Sequence, residues 1–380
     1  MKIALLLRLD LGYCRHVLRG IHEYAARHEN WVFRHAYPET EVIEPLREWE
    51  ADGIIALAYD ESFAKELQAL AVPVVNTTST MLERHFPLVE VDHVAVGRMA
   101  AEHFLERGFQ RFGYYGSSKL GYSRGRLQGF RERLAEAGHT VDTCDVDFRP
   151  YLPVKTSWYG VDQTTADWLG SIQKPIGVLA SNDLVARDLS DMCRQLKLRV
   201  PGDVAILGVD NDECECHLSS PPLSSIRLPG RRIGFESAAL LHQLIEGKVP
   251  QSREMYFPPE QVMVRGSTDV LAIDDPILEA ALAFIRNNYM NPIRVDDVTV
   301  AAAVSRRVLE RHFHDKLRRT ILEEIHQVRV DRAKSELVGT RDSMTAIAER
   351  CGFRDGRHMS VLFRKYVNVT PSAYRLSFRP

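Results

Sequence analysis

Apolar residues fall into two alternating arrangements over the first 268 positions. Short continuous apolar runs predict strands over 3–9, 31–36, 52–57, 72–76 and 88–91. Between them, apolar residues recur every three or four positions and predict helices over 13–28, 45–50, 62–70 and 94–107. A second series follows, with strands over 111–115, 140–146, 176–180, 204–209 and 262–265. Its helices are expected over 124–137, 164–171, 184–196 and 233–246. Strand and helix in strict alternation imply parallel sheets covered on both faces. Two such series imply two α/β lobes with a cleft between them. Ligands in such sheets bind at the C-terminal ends of the strands. The polar residues just after strands are Asp10, Asp60, Asn76, Asp92, Asn182, Asp183 and Asp210.

The pattern changes near residue 276, beyond which only helical spacing recurs. Asp275 can cap a helix that starts at Pro276 and runs to about 288. Residues 295–302 and 305–317 predict a helix pair around Ala303, with Leu309 and Phe313 inward and Arg307, Glu310, Arg311 and His314 outward. A long helix over 321–338 follows. A second pair spans 343–366: Ser343 and Asp355 serve as caps, and Gly352 takes the left-handed position between the helices. Its second helix turns Met359, Leu362, Phe363 and Tyr366 inward and Arg357, Ser360, Val361 and Arg364 outward. A helix with that outer face can enter a DNA major groove. The long helix would span about 27 Å, compatible with recognition helices in successive major grooves.

Charge sharpens the division. The whole chain carries a net charge of −2, but 276–380 holds 19 Lys and Arg against 12 Asp and Glu, a balance of +7. The remainder stands at −9. A basic module on an acidic body fits a nucleic-acid-binding domain attached to a different function. The boundaries expected are 1–268 for the body, 269–275 for a linker and 276–380 for the DNA-binding domain.

Several function classes are set aside by what is missing from the sequence. Six cysteines are scattered without a Cys-x-x-Cys pair, which argues against a zinc site and for reduced thiols. No phosphate-binding glycine loop, Gly-x-Ser-x-Gly or His-Glu-x-x-His sequence occurs, and no catalytic constellation is visible, so an enzyme is not expected. No cofactor is expected. The first apolar run is broken by Arg8 and Asp10, too short for a signal peptide, and no run approaches the roughly 20 apolar residues of a membrane span. A cytoplasmic location follows as the expectation.

Two family resemblances enter on particular residues. Gly352-Phe353, Phe363-Arg364-Lys365 and Thr370-Pro371 with Tyr374-Arg375 resemble the signature of AraC-family transcription regulators, over about 276–375. Asn368, Ala303 and Thr299 depart from that pattern, and Gly356 offers no side chain to a base. In the body, D-G-I-I-A at 52–56, R-L-Q-G-F at 126–130, L-A-S-N-D at 179–183 and G-V-D-N-D at 208–212 resemble the effector domain of LacI-type regulators, which shares the type I periplasmic sugar-binding-protein fold. That fold passes the chain between lobes three times, by analogy near 108–111, 225–228 and 257–262.

Together the resemblances imply a two-lobed α/β periplasmic-binding-protein-like domain followed by an all-α double helix-turn-helix domain. They imply a sugar-responsive bacterial transcription regulator, an activator answering to D-xylose or to another pentose or a hexose. A sugar-binding receptor without a transcriptional role is the alternative of another class. Asp10, Asp92, Arg124, Arg126, Asn182, Asp183 and Asp210 become the expected sugar ligands, although Asp after a strand also commonly caps the next helix. Tyr13, Tyr59 and Trp158 could stack on a sugar face. Arg307, Glu310, Arg311, Arg357, Ser360, Val361 and Arg364 become the expected DNA contacts. The partners implied are operator DNA with tandem half-sites, RNA polymerase and a second copy of the chain.

Overall fold

The computed structural model describes residues 1–28, 30–81, 83, 85–146, 162–269, 275–317 and 319–378. The chain forms two compact units, one of Met1–Glu106 with Gln110–Val270, the other of Arg107–Phe109 with Leu271–Pro380. Residues 270–274 of the expected linker, and Trp158, lie outside the described residues.

The first unit begins with β1 (Lys2–Leu6), α1 (Gly12–Ala25), β2 (Val32–Ala36), α2 (Ile43–Trp49), β3 (Gly53–Ala56), α3 (Glu61–Gln68), β4 (Val74–Asn76), β5 (Leu88–Val91) and α4 (His93–Leu105). It continues with β6 (Phe112–Gly116), α5 (Gly121–Glu136), β7 (Val141–Asp145), α6 (Gln163–Ser171), β8 (Ile176–Ala180), α7 (Asp183–Gln195) and β9 (Val204–Asp210). Then come α8 (Glu213–Leu218), β10 (Ser224–Arg227), α9 (Gly230–Ile245), β11 (Glu254–Phe257) and β12 (Gln261–Met263). One sheet has the order β11-β5-β4-β3-β1-β2 and the other β12-β10-β9-β8-β6-β7. Every neighbouring pair is parallel except β10 with β12. β3, β5, β6 and β8 are buried along their whole length, as continuous apolar strands covered on both faces require.

One lobe crossing differs from expectation. α4 packs on α5 and against β12, so it belongs to the second lobe. The chain therefore leaves the first lobe directly after β5, at residues 91–93, and not at 108–111. Two glycines make the α4–α5 contact possible. A Cβ on Gly97 would lie 2.0 Å from the Arg126 carbonyl, and one on Gly129 would lie 1.9 Å from that of Val94. α9 packs on α1 and against β3, β4 and β5, so the chain returns to the first lobe between β10 and α9. It crosses a third time between β11 and β12. Elements α8, β10 and β11 have no counterpart in the sequence reading; β10 reads Ser-Ser-Ile-Arg, without an apolar run.

The second unit holds α10 (Pro276–Asn288), α11 (Val295–Ala301), α12 (Arg306–Leu317), α13 (Ile321–Gly339), α14 (Met344–Arg350), α15 (Gly356–Val367) and α16 (Pro371–Phe378), the last not foreseen. Each helix-turn-helix pair has its own core, and α13 contributes to both. Ile321 and Ile325 join Leu278, Ile285, Leu309 and Phe313, while Val330, Ala333 and Leu337 join Ile347, Met359 and Phe363. The turns contain left-handed residues, Ala303 at φ 54° and Gly352 at φ 76°. Gly352 has a second reason to be glycine: a Cβ there would lie 2.0 Å from the Tyr289 carbonyl. Arg329 of α13 donates to that same carbonyl at 2.9 Å and to that of Asn291 at 2.7 Å, tying the two halves together. No helix among the described residues is long and apolar enough to cross a membrane.

Candidate functional site

A cavity of about 270 Å³ opens between the lobes at the C-terminal ends of the strands. Arg8 and Asp10 follow β1 and line it as an ion pair, with Arg8 Nε donating to Asp10 Oδ1 at 3.1 Å. From the facing lobe come Arg126 on α5, Asn182 and Asp183 at the start of α7, and Asp210 at the end of β9. Arg126 is 3% exposed. Its Nη2 lies 3.6 Å from Asp210 Oδ1, its Nη1 donates to the Ser181 carbonyl, and its guanidinium stands 5.0 Å from the centre of the Tyr122 ring.

Arg126 also sets the state of His93. Arginine is only a donor, so the 3.3 Å contact from Arg126 Nε makes His93 Nδ1 an acceptor. His93 Nε2 then carries the proton and donates to Glu90 Oε1 at 2.9 Å. Burial lowers the His93 pKa, with Glu90 opposing, which agrees with a neutral ring. Glu90 is 3% exposed and also accepts from the Ser79 N–H at 2.6 Å. Its other oxygen, Oε2, is buried without a hydrogen-bond partner among the described residues, and the residue itself belongs to the cavity wall. A buried acceptor left open is a place for a ligand hydroxyl. Glu90 and His93 were missed in the sequence. The available signal was a glutamate inside the apolar strand Leu-Val-Glu-Val, where a charge is out of place without a partner.

Asp210 sits in strained backbone, with φ 112° followed by Asn211 at φ 51°. Burial pushes its carboxyl up to about 6; Arg126 pulls it down and Asp212 raises it. Asp183 is 1% exposed, and burial first, then the charge of Asp210, raises its carboxyl well above the ordinary range. Its oxygens are turned into the protein. Oδ2 accepts from the Asp212 N–H at 2.7 Å, and a Cβ on Gly208 would lie 2.1 Å from Oδ1. Asp183 thus shapes the 210–212 loop. Asn182 caps α7 through the Val185 N–H at 2.9 Å while still lining the cavity.

Two expected ligands stand apart from this cavity. Asp92 caps α4, accepting from the Ala95 N–H at 2.9 Å. Arg124 is exposed and borders a separate depression with Arg131 and Asp145. Two positions along the helix, a little over half a turn, put Arg126 on the buried face and Arg124 on the exposed one. Tyr13 lines the cavity, donating its hydroxyl to the Thr77 carbonyl at 2.8 Å, whereas Tyr59 stacks on Phe63 outside it. Glu61, Glu83 and His85 bring possible metal-ligand atoms within 4.8 Å of one another, also outside the cavity, with His85 paired to Glu61 at 2.6 Å.

In the second unit, α12 and α15 are the second helices of their pairs. Arg307, Arg311, Arg357 and Arg364 are exposed and make no ion pair among the described residues. Glu310 is held by Arg306 at 2.8 Å, and Arg306 also lies 3.6 Å from Asp296. Ser360 turns back to its own helix, donating to the Gly356 carbonyl at 2.9 Å, while Val361 is 62% exposed.

A two-lobed sensor body joined in one chain to a helix-turn-helix module that binds DNA defines a sugar-responsive transcription regulator. Residues 2–98 match the family described as XylR N-terminal domain, 101–268 the periplasmic binding protein-like domain and 298–377 a helix-turn-helix domain. The xylose operon regulatory protein of Escherichia coli K12 is 30% identical over 382 residues, covering 98% of this chain and 96% of that protein. That of Haemophilus influenzae is 30% identical over 387 residues, covering 99% and 98%. The chain belongs to the family of xylose operon regulatory proteins. A solved structure titled as a xylose-binding transcription activator matches with a TM-score of 0.66 and 28% identity, covering 100% of this chain and 98% of that one. A LacI-family regulator from Enterococcus faecium with bound ribose shares the fold at 24% identity and a TM-score of 0.56, covering 70% and 98%.

These matches correct the AraC assignment. The family matching 298–377 is described only as a helix-turn-helix domain, and the solved neighbours include several LacI-family regulators. The chain is a LacI-like, periplasmic-binding-protein-like sugar sensor related to the xylose operon regulators, not an AraC-family protein. The residues that suggested AraC serve packing. Phe353, Phe363 and Tyr374 are core residues, and Thr370 Oγ1 accepts from the Ala373 N–H at 3.2 Å, where α16 starts. Such residues report a well-packed helix-turn-helix. The relatives named above are regulators of transcription.

Proposed function

We propose that this chain is a D-xylose-dependent activator of xylose catabolic genes, with the sugar held in the cavity between the lobes of 1–268. In this reading 269–275 is the linker and 276–380 the DNA-binding domain. The observation that carries it is the set of opposed polar groups lining one cavity: Glu90 with an unpartnered oxygen, the Arg126–Asp210 pair and the Arg8–Asp10 pair. A sugar hydroxyl donates and accepts at once, so it can bridge a carboxylate and a guanidinium in one place. Xylose is favoured by the named relatives, which are xylose operon regulators and a xylose-binding activator. Asp10, Arg126, Asn182, Asp210 and Glu90 are the proposed ligand contacts, and Tyr122 offers a ring to the sugar face.

Sugar binding draws the lobes together, and its effect on transcription is limited by its differential affinity for the closed form. Two copies of the chain then present α12 and α15 to tandem half-sites and engage RNA polymerase. Arg307, Arg311 and Arg357 read bases, and Arg364 contacts phosphate. The test is calorimetry of the full chain with D-xylose, L-arabinose, D-ribose and D-glucose, followed by operator binding with and without the tightest ligand. Xylose binding at least tenfold tighter than the others supports the reading. A tighter pentose or hexose reassigns the effector, and no binding by any of them removes the sugar site.

A further inference from the structure

Helix α1 begins at Gly12, and its N-cap is Leu11, whose side chain accepts no hydrogen bond. The first N–H groups of a helix need acceptors from outside it. The acceptor for Gly12 comes from the other lobe: its N–H donates to Asp212 Oδ2 at 2.7 Å, in a buried contact. Arg15, in the next position facing that way, donates through Nη2 to Asp212 Oδ1 at 3.2 Å and Oδ2 at 3.1 Å. Asp212 is only 7% exposed. The approach depends on glycine, since a Cβ on Gly12 would lie 2.7 Å from Asp212 Oδ2.

On its own lobe, Asp212 is held from two sides. Its Oδ1 accepts from the Cys214 N–H at 3.0 Å, capping α8. Its backbone N–H donates to Asp183 Oδ2 at 2.7 Å, and both residues belong to the cavity wall. The carboxylate also stands two residues beyond Asp210. One side chain therefore connects the wall of the cavity to the start of a helix in the facing lobe.

We propose that Asp212 is a positioning residue that helps hold the lobes together, supplying across the cleft the helix cap that α1 lacks. Opening the cleft gives up the bonds to Gly12 and Arg15, so Asp212 raises the fraction of molecules in the closed arrangement. Effector affinity scales with that fraction. The link to affinity rests on the cavity being the effector site, as proposed above.

The test compares the full chain with Asp212→Asn, Gly12→Ala and the double variant. Asparagine keeps an oxygen for the Cys214 N–H, but turns an NH₂ toward the donors Gly12 and Arg15. Alanine at 12 displaces the carboxylate from the α1 side while leaving its charge and both oxygens in place for the Cys214 N–H. Hydrogen exchange is read on the peptide covering the first turn of α1, and D-xylose affinity by calorimetry. Each single variant is expected to exchange there and to bind xylose with roughly tenfold losses in protection and affinity. The double variant should be no worse than the poorer single, because both changes break one contact. If Asp212→Asn fails to fold, Gly12→Ala carries the test. Unchanged exchange in the first turn, unchanged affinity, or additive losses overturn the proposal. Lost protection in a protein whose unaltered form binds no xylose upholds the contact between lobes and removes the effector reading instead.

Discussion

The Arg126 guanidinium lies 3.6 Å from the Asp210 carboxylate, while its Nε donates to His93, which in turn donates to Glu90. Four side chains thus form one path from β9 in the second lobe to β5 in the first. Arg126 and His93 bridge structures that sequence separates by 33 positions. Removing either member of the Arg126–Asp210 pair leaves a buried charge without its partner. Asp210→Ala and Arg126→Ala are each expected to weaken sugar binding by about 2–5 kcal/mol. Calorimetry reads the effect, and circular dichroism should show the fold retained.

Glu90→Gln keeps the shape of the side chain but replaces the unpartnered acceptor of a cavity-wall residue with a donor. Sugar affinity should fall by about 1.5–3 kcal/mol, the range of a hydrogen bond to a charged group. Asp92→Ala and Arg124→Ala, both outside the cavity, should change it by less than about 0.5 kcal/mol. An Arg124→Ala loss as large as that of Glu90→Gln would move the site toward the other depression.

Asp210 has a carboxyl raised to about 6 in the folded protein, against 3.8 for the ordinary group. The folded form therefore holds its proton more tightly than the unfolded chain between those values. The stability this contributes is fully present below about pH 4 and is lost as pH rises through about 6. Asp210→Asn should accordingly gain about 1–3 kcal/mol over the unaltered protein at pH 7, and the difference should shrink toward zero near pH 4. Urea unfolding across that range measures it. A gain that stayed constant with pH would assign the effect to packing.

On the DNA side, Arg357 and Arg364 are both exposed on α15 but stand two turns apart. Arg357→Ala should cost about 1–3 kcal/mol and relax preference at one or two base pairs. Arg364→Ala should weaken operator and random DNA alike and lower the salt slope by about one. Titrations against single-base operator variants at several salt concentrations separate the two roles. Equal weakening of every variant by Arg357→Ala would make it a phosphate contact, with Gly356 beside it leaving the first turn silent.

Gly352→Ala meets two obstacles, a left-handed backbone and a Cβ 2.0 Å from the Tyr289 carbonyl. It should destabilise the second unit by roughly 2–4 kcal/mol. Asn368, also left-handed at φ 61°, closes α15 as its C-cap. Asn368→Gly should be neutral or slightly stabilising, because glycine adopts that conformation without a steric cost. Thermal unfolding of both variants tests the contrast.

What the sequence determined by itself is what local chemistry dictates. Alternating apolar periods specify two α/β series, because a strand buried on both faces and an amphipathic helix need different spacings of the same residues. Asp275, Ser343 and Asp355 specify where helices begin, since each side chain accepts from an N–H two or three residues ahead. What only the tertiary structure decided is what each element faces. An Asp after a strand looks the same in sequence whether it caps the next helix, as Asp92 does, or joins a cavity wall, as Asp10 does. α4 shows its apolar face in sequence but not that the second lobe would receive it. Glu90, His93 and Asp212 depend on partners from three to 200 positions away. Periodicity records that a face is buried; the identity of the atoms across from it is set by how the lobes close upon each other.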